Sequence, residues 1–207
     1  MGGYSECRTR KYSAMRVIAG KYRSRPLRPL RGMDIRPTSD RLRETLFNVL
    51  APRIEGASFL DLYAGSGAVG IEALSRGAAR AVLVEDAPAP LAAMRANLAN
   101  LGLRENVRIL AGSVSAYLRR MRLGTPHVFD VIFLDPPWDA ANEYESTLGL
   151  LGGGSAPLLA PGALVIAEHR CKQQLEDRCG RLRRTRLLEQ GDAALSFYAL
   201  ESEGQLE

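Results

Sequence analysis

Four consecutive residues, Asp135-Pro136-Pro137-Trp138, carry the sharpest chemical signal in the sequence. They close an apolar run, Phe129-Asp130-Val131-Ile132-Phe133-Leu134, that reads as a buried strand. A carboxylate, two prolines and an aromatic at a strand end suit a planar amine. Asp135 can accept one N–H of an exocyclic amino group and the Pro136 carbonyl the other, and the prolines fix the backbone so that the two acceptors converge. Trp138 offers a face on which an extruded base can stack, a contact worth on the order of 1–3 kcal/mol. The lone pair of such an amine is delocalised into its ring. Accepting its hydrogens pushes the nitrogen toward a tetrahedral geometry aimed at a methyl group. The plainer alternative, a proline-rich turn with Asp135 as a helix cap, leaves the order of the four residues unexplained.

A second constellation lies upstream. Phe59-Leu60-Asp61-Leu62-Tyr63-Ala64-Gly65-Ser66-Gly67-Ala68-Val69-Gly70 holds a G-x-G-x-x-G directly after a strand pattern and directly before a helix pattern. Glycines there let the backbone turn sharply and approach a ligand. The motif alone does not separate a dinucleotide from other nucleoside cofactors, and a tight turn would explain one glycine but hardly three. Glu85 closes the next strand, where a carboxylate can accept both hydroxyls of a ribose. Asp61 closes the first, beside the glycine loop, where an anion suits a cationic amino-acid portion. A pyrophosphate wants a bare helix N-terminus and would be repelled there. The pair favours S-adenosylmethionine over NAD.

The elements that must carry these residues follow from periodicity. Apolar runs at Ala57–Leu62, Arg80–Glu85, Val107–Ala111, Val128–Asp135 and Ala163–Glu168 alternate with helical patterns at 68–76, 88–101, 114–122 and 142–151. That alternation predicts βαβ units and a mostly parallel sheet. Gly77 and Gly102 stand where helix-ending glycines are expected. Leu182–Leu188, Gly191-Asp192 and Ala194–Leu200 read as an antiparallel hairpin that finishes the sheet. Upstream, Leu42, Leu46, Val49 and Leu50 mark an amphipathic helix behind Ser39 or Asp40 as N-cap, and Arg16–Leu30, with Pro26 and Pro29, reads as a short extended or hairpin arm. Residues 1–14 show no periodicity and are expected to be disordered, with Met15 as an alternative start. The predicted fold is α/β and Rossmann-like. Its expected parts are a disordered extension over 1–14, a basic arm and helix over 15–53, and a catalytic domain over 54–207.

Composition narrows the classes further. With 207 residues, 46% hydrophobic and 25% charged, the chain can bury a core of ordinary size. Three cysteines, Cys7, Cys171 and Cys179, make neither a disulfide framework nor a zinc spacing, which points to a reducing, cytoplasmic setting and no metal. The charge-free stretch Ser146–Ala167 is long enough to span a bilayer, but Gly152-Gly153-Gly154, Pro157 and Pro161 break it into a helix end, a loop and a strand start. Residues 1–53 hold 13 basic and 4 acidic side chains, and 170–186 hold 7 and 2, around an acidic middle. Basic flanks on a near-neutral body are a footprint for a polyanion. Only three of the 28 basic residues are lysines, as arginine-mediated phosphate contact or a GC-rich genome would each produce.

Asp61–Gly70, Glu85 and Asp135–Trp138 together resemble the class I, Rossmann-like S-adenosylmethionine-dependent methyltransferases that act on exocyclic amines. Arg16-Val17-Ile18-Ala19-Gly20-Lys21-Tyr22-Arg23 and Arg36-Pro37-Thr38-Ser39-Asp40-Arg41-Leu42-Arg43-Glu44-Thr45-Leu46-Phe47-Asn48 are similar to segments of the bacterial 16S ribosomal RNA guanine-N2 methyltransferases. The resemblance covers roughly residues 15–200. It implies S-adenosylmethionine as cofactor, held by Asp61, Tyr63, Gly65, Gly67, Glu85 and Asp86, with Asp135 also at the cofactor. It implies a guanine positioned by Asp135, Pro136, Pro137 and Trp138, although Phe or Tyr is the commoner fourth residue. Ser113 stands where an Asp or Asn often reads the adenine, so backbone groups of Val114 would substitute. Arg36, Thr38 and Arg41 would line the entrance, and Arg16, Lys21, Arg23 and Arg25 would meet RNA. The implied partner is 16S rRNA within a small-subunit particle, met by a monomer with no membrane association.

Three other functions compete. A DNA adenine-N6 methyltransferase uses a similar tetrapeptide, but duplex readout usually needs a module placed in the major groove, and the short arm offers none. A splayed, unpaired guanine in RNA suits the small tool set better. A non-catalytic RNA-binding assembly factor would keep the pocket as a relic, and an NAD oxidoreductase would give Asp135–Trp138 no role. His127 and His169 read as structural or surface residues rather than a catalytic pair.

Overall fold

The computed structural model describes residues 15–30, 39–121, 128–138, 140–153 and 158–201. Five helices, α1 (Asp40–Ile54), α2 (Ala68–Ser75), α3 (Pro88–Leu101), α4 (Val114–Met121) and α5 (Ala141–Gly152), surround one sheet. Its strands are β1 (Ser58–Leu62), β2 (Arg80–Glu85), β3 (Val107–Ala111), β4 (Phe129–Leu134), β5 (Leu159–Arg170), β6 (Arg178–Cys179), β7 (Leu182–Gln190) and β8 (Ala193–Leu200). The strand order is β3-β2-β1-β4-β5-β8-β7-β6. The first five are parallel, and β8, β7 and β6 complete the sheet antiparallel. The expected α/β architecture with a C-terminal hairpin is therefore the one observed.

Alternation along the strands divides the core into two layers. Phe59, Leu83, Val131, Phe133 and Ile166 pack on one face with α1, α2 and α3. Leu60, Leu62, Ile132, Leu134 and Val165 pack on the other with α4 and α5. Strand order reverses between β1 and β4, and connections that diverge there leave a crevice at the carboxyl ends of the strands. The register pairs Leu62 with Leu134. The glycine loop after β1 and the tetrapeptide after β4 thus leave the sheet side by side.

Ser39 caps α1, its Oγ accepting from Leu42 N at 3.1 Å, and Leu42, Leu46, Leu50 and Ile54 bury one stripe of that helix. Before it, the arm forms a small loop closed by a bridge between Arg16 and Pro26. Met15, Val17 and Leu27 of this arm are buried in the same core as α1 and α2. Basic side chains point outward while the apolar ones anchor the arm, so it is a docked layer rather than a loose appendage. Residues 1–14, expected to be disordered, lie outside the described residues, as do Arg36, Thr38 and His127.

Most element ends fall within one or two residues of the sequence reading, and two features differ by more. β5 begins at Leu159 rather than Ala163, because Phe129 pairs with Leu159 before the register shifts around Pro161 and Gly162. β6 is a two-residue strand that periodicity could not reveal. The uncharged stretch from Ser146 contributes the end of α5 and the start of β5, and among the described residues no helix is long and apolar enough to cross a membrane.

Candidate active site

On the cofactor side, two of the three glycines answer to neighbouring side chains, Gly67 in the turn and Gly70 inside α2. Gly67 takes a left-handed φ of 80° as N-cap of α2, and a Cβ there would meet Met94 Cγ at 2.9 Å. A Cβ at Gly70 would meet Leu83 Cδ2 at 2.1 Å, so only glycine lets α2 lie this close to β2. Gly65 differs. A Cβ there would meet nothing nearer than Leu30 Cδ1 at 3.9 Å, so the loop opens to a ligand at this point.

Asp61 is buried at the end of β1, and its carboxylate accepts from Gly70 N at 2.9 Å. Since the N-cap Gly67 brings no side chain, Asp61 satisfies an early α2 amide from a neighbouring strand. Burial pushes Asp61 up to about 7 against the Gly70 hydrogen bond, and the Glu85 and Glu168 carboxylates push the same way as burial. Glu85 gathers three backbone amides. Its Oε2 accepts from Gly65 N at 2.9 Å, and Oε1 accepts from Asp86 N at 3.0 Å and Ala87 N at 2.9 Å. The carboxylate therefore binds the glycine loop to the start of α3 and keeps about one lone-pair site in four for a hydroxyl. Asp86 beside it is exposed.

Tyr63 follows β1 with φ 61°, an uncommon conformation for a bulky residue. Its hydroxyl donates to Glu143 Oε2 at 2.7 Å and lies 2.7 Å from Thr147 Oγ1, both on α5. Burial holds that hydroxyl well above the usual tyrosine range. Ser113 caps α4 weakly, its Oγ accepting from Ala116 N at 3.4 Å, while the Val114 side chain is buried. Ser113 is exposed. An open loop beside Gly65, a carboxylate at the end of β2 and a buried carboxylate at the end of β1 fit a nucleoside bearing a cationic amino-acid portion.

On the acceptor side, Asp135 and Trp138 are half-buried, Pro136 is buried and Pro137 is exposed. The Pro137 carbonyl accepts from Ala140 N at 2.8 Å, closing the turn into α5. Behind the turn, Tyr144 donates to the Glu168 carbonyl at 2.9 Å and is held above its usual range by burial and then by the nearby Asp135 charge. His169 is structural. Its Nε2 lies 2.9 Å from Ser196 Oγ and its Nδ1 2.8 Å from the Arg170 carbonyl, and burial lowers its pKa.

The RNA-facing expectations divide. Arg16 reaches Asp40 at 3.9 Å, Arg25 donates to the Asn100 carbonyl at 3.2 Å, and the Lys21 ammonium sits 5.5 Å from the Tyr22 ring centre. These three remain exposed, and Arg23 and Arg41 are exposed as well. Sequence reasoning missed the α5 partners of Tyr63, and it missed Glu72. This fully buried carboxylate on α2 accepts from Ile18 N at 2.8 Å, Ala19 N at 3.0 Å and Arg76 Nε at 2.7 Å. The signal was available, since Glu72 is a lone charge inside Ala68-Val69-Gly70-Ile71-Glu72-Ala73-Leu74.

A strand order of this kind, with the glycine loop after β1 and the Asp-Pro-Pro-Trp turn after β4, places the chain among the class I S-adenosylmethionine-dependent methyltransferases. The solved structure of yhhF from Escherichia coli superposes with a TM-score of 0.77 at 35% identity, covering 92% of this chain and all of that one. SMU.776, solved in complex with SAH, shares the fold at a TM-score of 0.61 and 16% identity, over 75% of this chain and 48% of that one. The chain belongs to the family described as Conserved hypothetical protein 95, which matches residues 15–199. It is similar to ribosomal RNA small subunit methyltransferase D of Escherichia coli, with 38% identity over 191 residues and 92% of each chain covered.

Proposed function

We propose that this protein transfers a methyl group from S-adenosylmethionine to the exocyclic N2 amino group of a guanine in 16S rRNA, within a small-subunit ribosomal particle, acting as a monomer in the cytoplasm. The observation that carries the reading is the pairing of Leu62 with Leu134, which brings the glycine loop and the Asp-Pro-Pro-Trp turn to one crevice. The similarity to a small-subunit rRNA methyltransferase over nearly the whole chain supports an rRNA acceptor.

Each residue then has a task. Glu85 and the backbone at Gly65 hold the nucleoside, and Asp61 supplies negative charge toward the amino-acid portion. When bound, the cofactor supplies an activated methyl on sulfur, so no covalent protein nucleophile is required. Asp135 and the Pro136 carbonyl accept the two amine hydrogens and orient the nitrogen lone pair, a gain in positioning rather than in acidity. Trp138 stacks on the extruded base. Arg41 serves the entrance, a task the family resemblance also assigns to Arg36 and Thr38, and Arg16, Lys21, Arg23 and Arg25 contact phosphate on the approach.

The test is a comparison of acceptors. With labelled S-adenosylmethionine, unmodified small-subunit particles, protein-free 16S RNA and duplex DNA are incubated in parallel. Label in the RNA of the particles is the expected result. Label confined to DNA would overturn the reading in favour of an adenine-N6 enzyme, and no label despite cofactor binding would favour a non-catalytic assembly factor.

A further inference from the structure

The guanidinium of Arg170 lies over the Trp138 ring, 4.8 Å from its centre. Strand order explains how the two meet. β4 and β5 are neighbours, and their register pairs Leu134 with Ala167. Trp138 lies four residues beyond the first and Arg170 three beyond the second, so both emerge at the same edge of the crevice. Tyr144, behind the turn, has a hydroxyl influenced by the charges of Asp135 and Arg170. Arg170 itself is exposed, and its backbone continues the β5–β8 ladder opposite Ala193.

An indole has two stacking faces. With a cation over one, the ring is restrained and a planar partner must use the other. Arg170 also belongs to the second basic segment, residues 170–186, which has no task in the methyl transfer described above. We propose that Arg170 is a positioning residue for the acceptor base: it fixes the Trp138 ring from behind, so that the opposite face forms a preset wall for the extruded base. The inference rests on the acceptor reading above, because the base is the occupant of that wall. Cofactor contacts are left untouched, since the glycine loop and Glu85 belong to β1 and β2 on the other side of β4.

Trp138 is the single tryptophan of the chain, which gives the contact its own optical signal. In Arg170→Ala, the emission maximum of Trp138 and its accessibility to acrylamide are expected to change without any RNA present. The KM for the RNA acceptor is expected to rise about fivefold, with the Kd for S-adenosylmethionine unchanged and kcat little affected. Arg170→Lys keeps the cation and should recover part of the loss. In a Trp138→Ala background, removing Arg170 should cost almost nothing more. An unchanged emission spectrum would overturn the proposal, as would an Arg170→Ala penalty that persists at full size without Trp138, because Arg170 would then act directly on phosphate. If the wild-type protein methylates no RNA, the function reading fails, whereas the emission comparison still decides whether Arg170 holds the ring.

Discussion

Asp61 shows how one carboxylate is drawn into two tasks. It caps α2 through Gly70, and in the proposed function it faces the cationic portion of the cofactor, while burial pushes it up to about 7 from an ordinary 3.8. Because the folded protein holds this proton more tightly than the unfolded chain, the Asp61 contribution to stability is fully present below about pH 4 and is lost as pH rises through about 7. Denaturation between pH 5 and 8 should therefore show Asp61→Asn gaining stability relative to wild type as pH rises, since Asn still accepts from Gly70 but carries no buried charge. A constant difference across that range would show that Asp61 does not titrate there. Asp135 makes the complementary case. Asp135→Ala should retain S-adenosylmethionine affinity and reduce methyl transfer by about two orders of magnitude or more, and turnover near the wild-type rate would remove Asp135 from the chemistry.

Elements act through what they tie together. Glu72 joins the docked arm to α2 and faces Arg43, whose Nε lies 3.9 Å away with both side chains buried. Glu72→Ala leaves two arm amides and Arg76 Nε without their acceptor and removes a buried counter-charge from Arg43, which keeps Asp40 at 2.9 Å and the Arg16 carbonyl at 2.6 Å, so a loss of about 3–5 kcal/mol is expected, read as a fall in Tm of about 10 °C. A fall of one or two degrees would mean that buried Met15, Val17 and Leu27, with the Ser75 and Asn97 hydrogen bonds to Tyr22 and Arg28, hold the arm without Glu72. Tyr63 joins the glycine loop to α5, and Tyr63→Phe should weaken cofactor binding by up to about tenfold in calorimetry. An unchanged Kd would show that the loop needs no such tie. These ties mark the boundary of what periodicity reveals. β2, β3 and α3 fall on the residues the pattern predicts, because alternation, Pro88 and Gly102 are local signals. Tyr63 and Glu143 are 80 residues apart, and only the strand order brings α5 over the loop. The roles of Gly67 and Gly70 shifted for the same reason, since what a glycine must avoid is set by a distant Met94 or Leu83. The tetrapeptide was legible because its four residues are contiguous, whereas Arg170 became visible only once β5 stood beside β4.

At the scale of the whole molecule, the sequence sets a basic arm, 13 basic and 4 acidic side chains over residues 1–53, beside an acidic middle. Arg23, Arg25 and Arg28 are exposed on the docked arm. Replacing all three with Gln should weaken RNA binding and lower the slope of log K against log salt by about 2, as expected when three arginines no longer neutralise phosphates on a single strand. An unaltered slope would place the RNA elsewhere on the surface. The central claim is that the ends of β1 and β4 form a single site for methyl transfer to a guanine amine. The most direct test is to digest small-subunit particles methylated by the wild-type protein and by Asp135→Ala to nucleosides and identify the product by mass spectrometry. N2-methylguanosine from the wild type and almost none from the variant is the expected result. A methyl group on another atom, or equal product from both proteins, would contradict it.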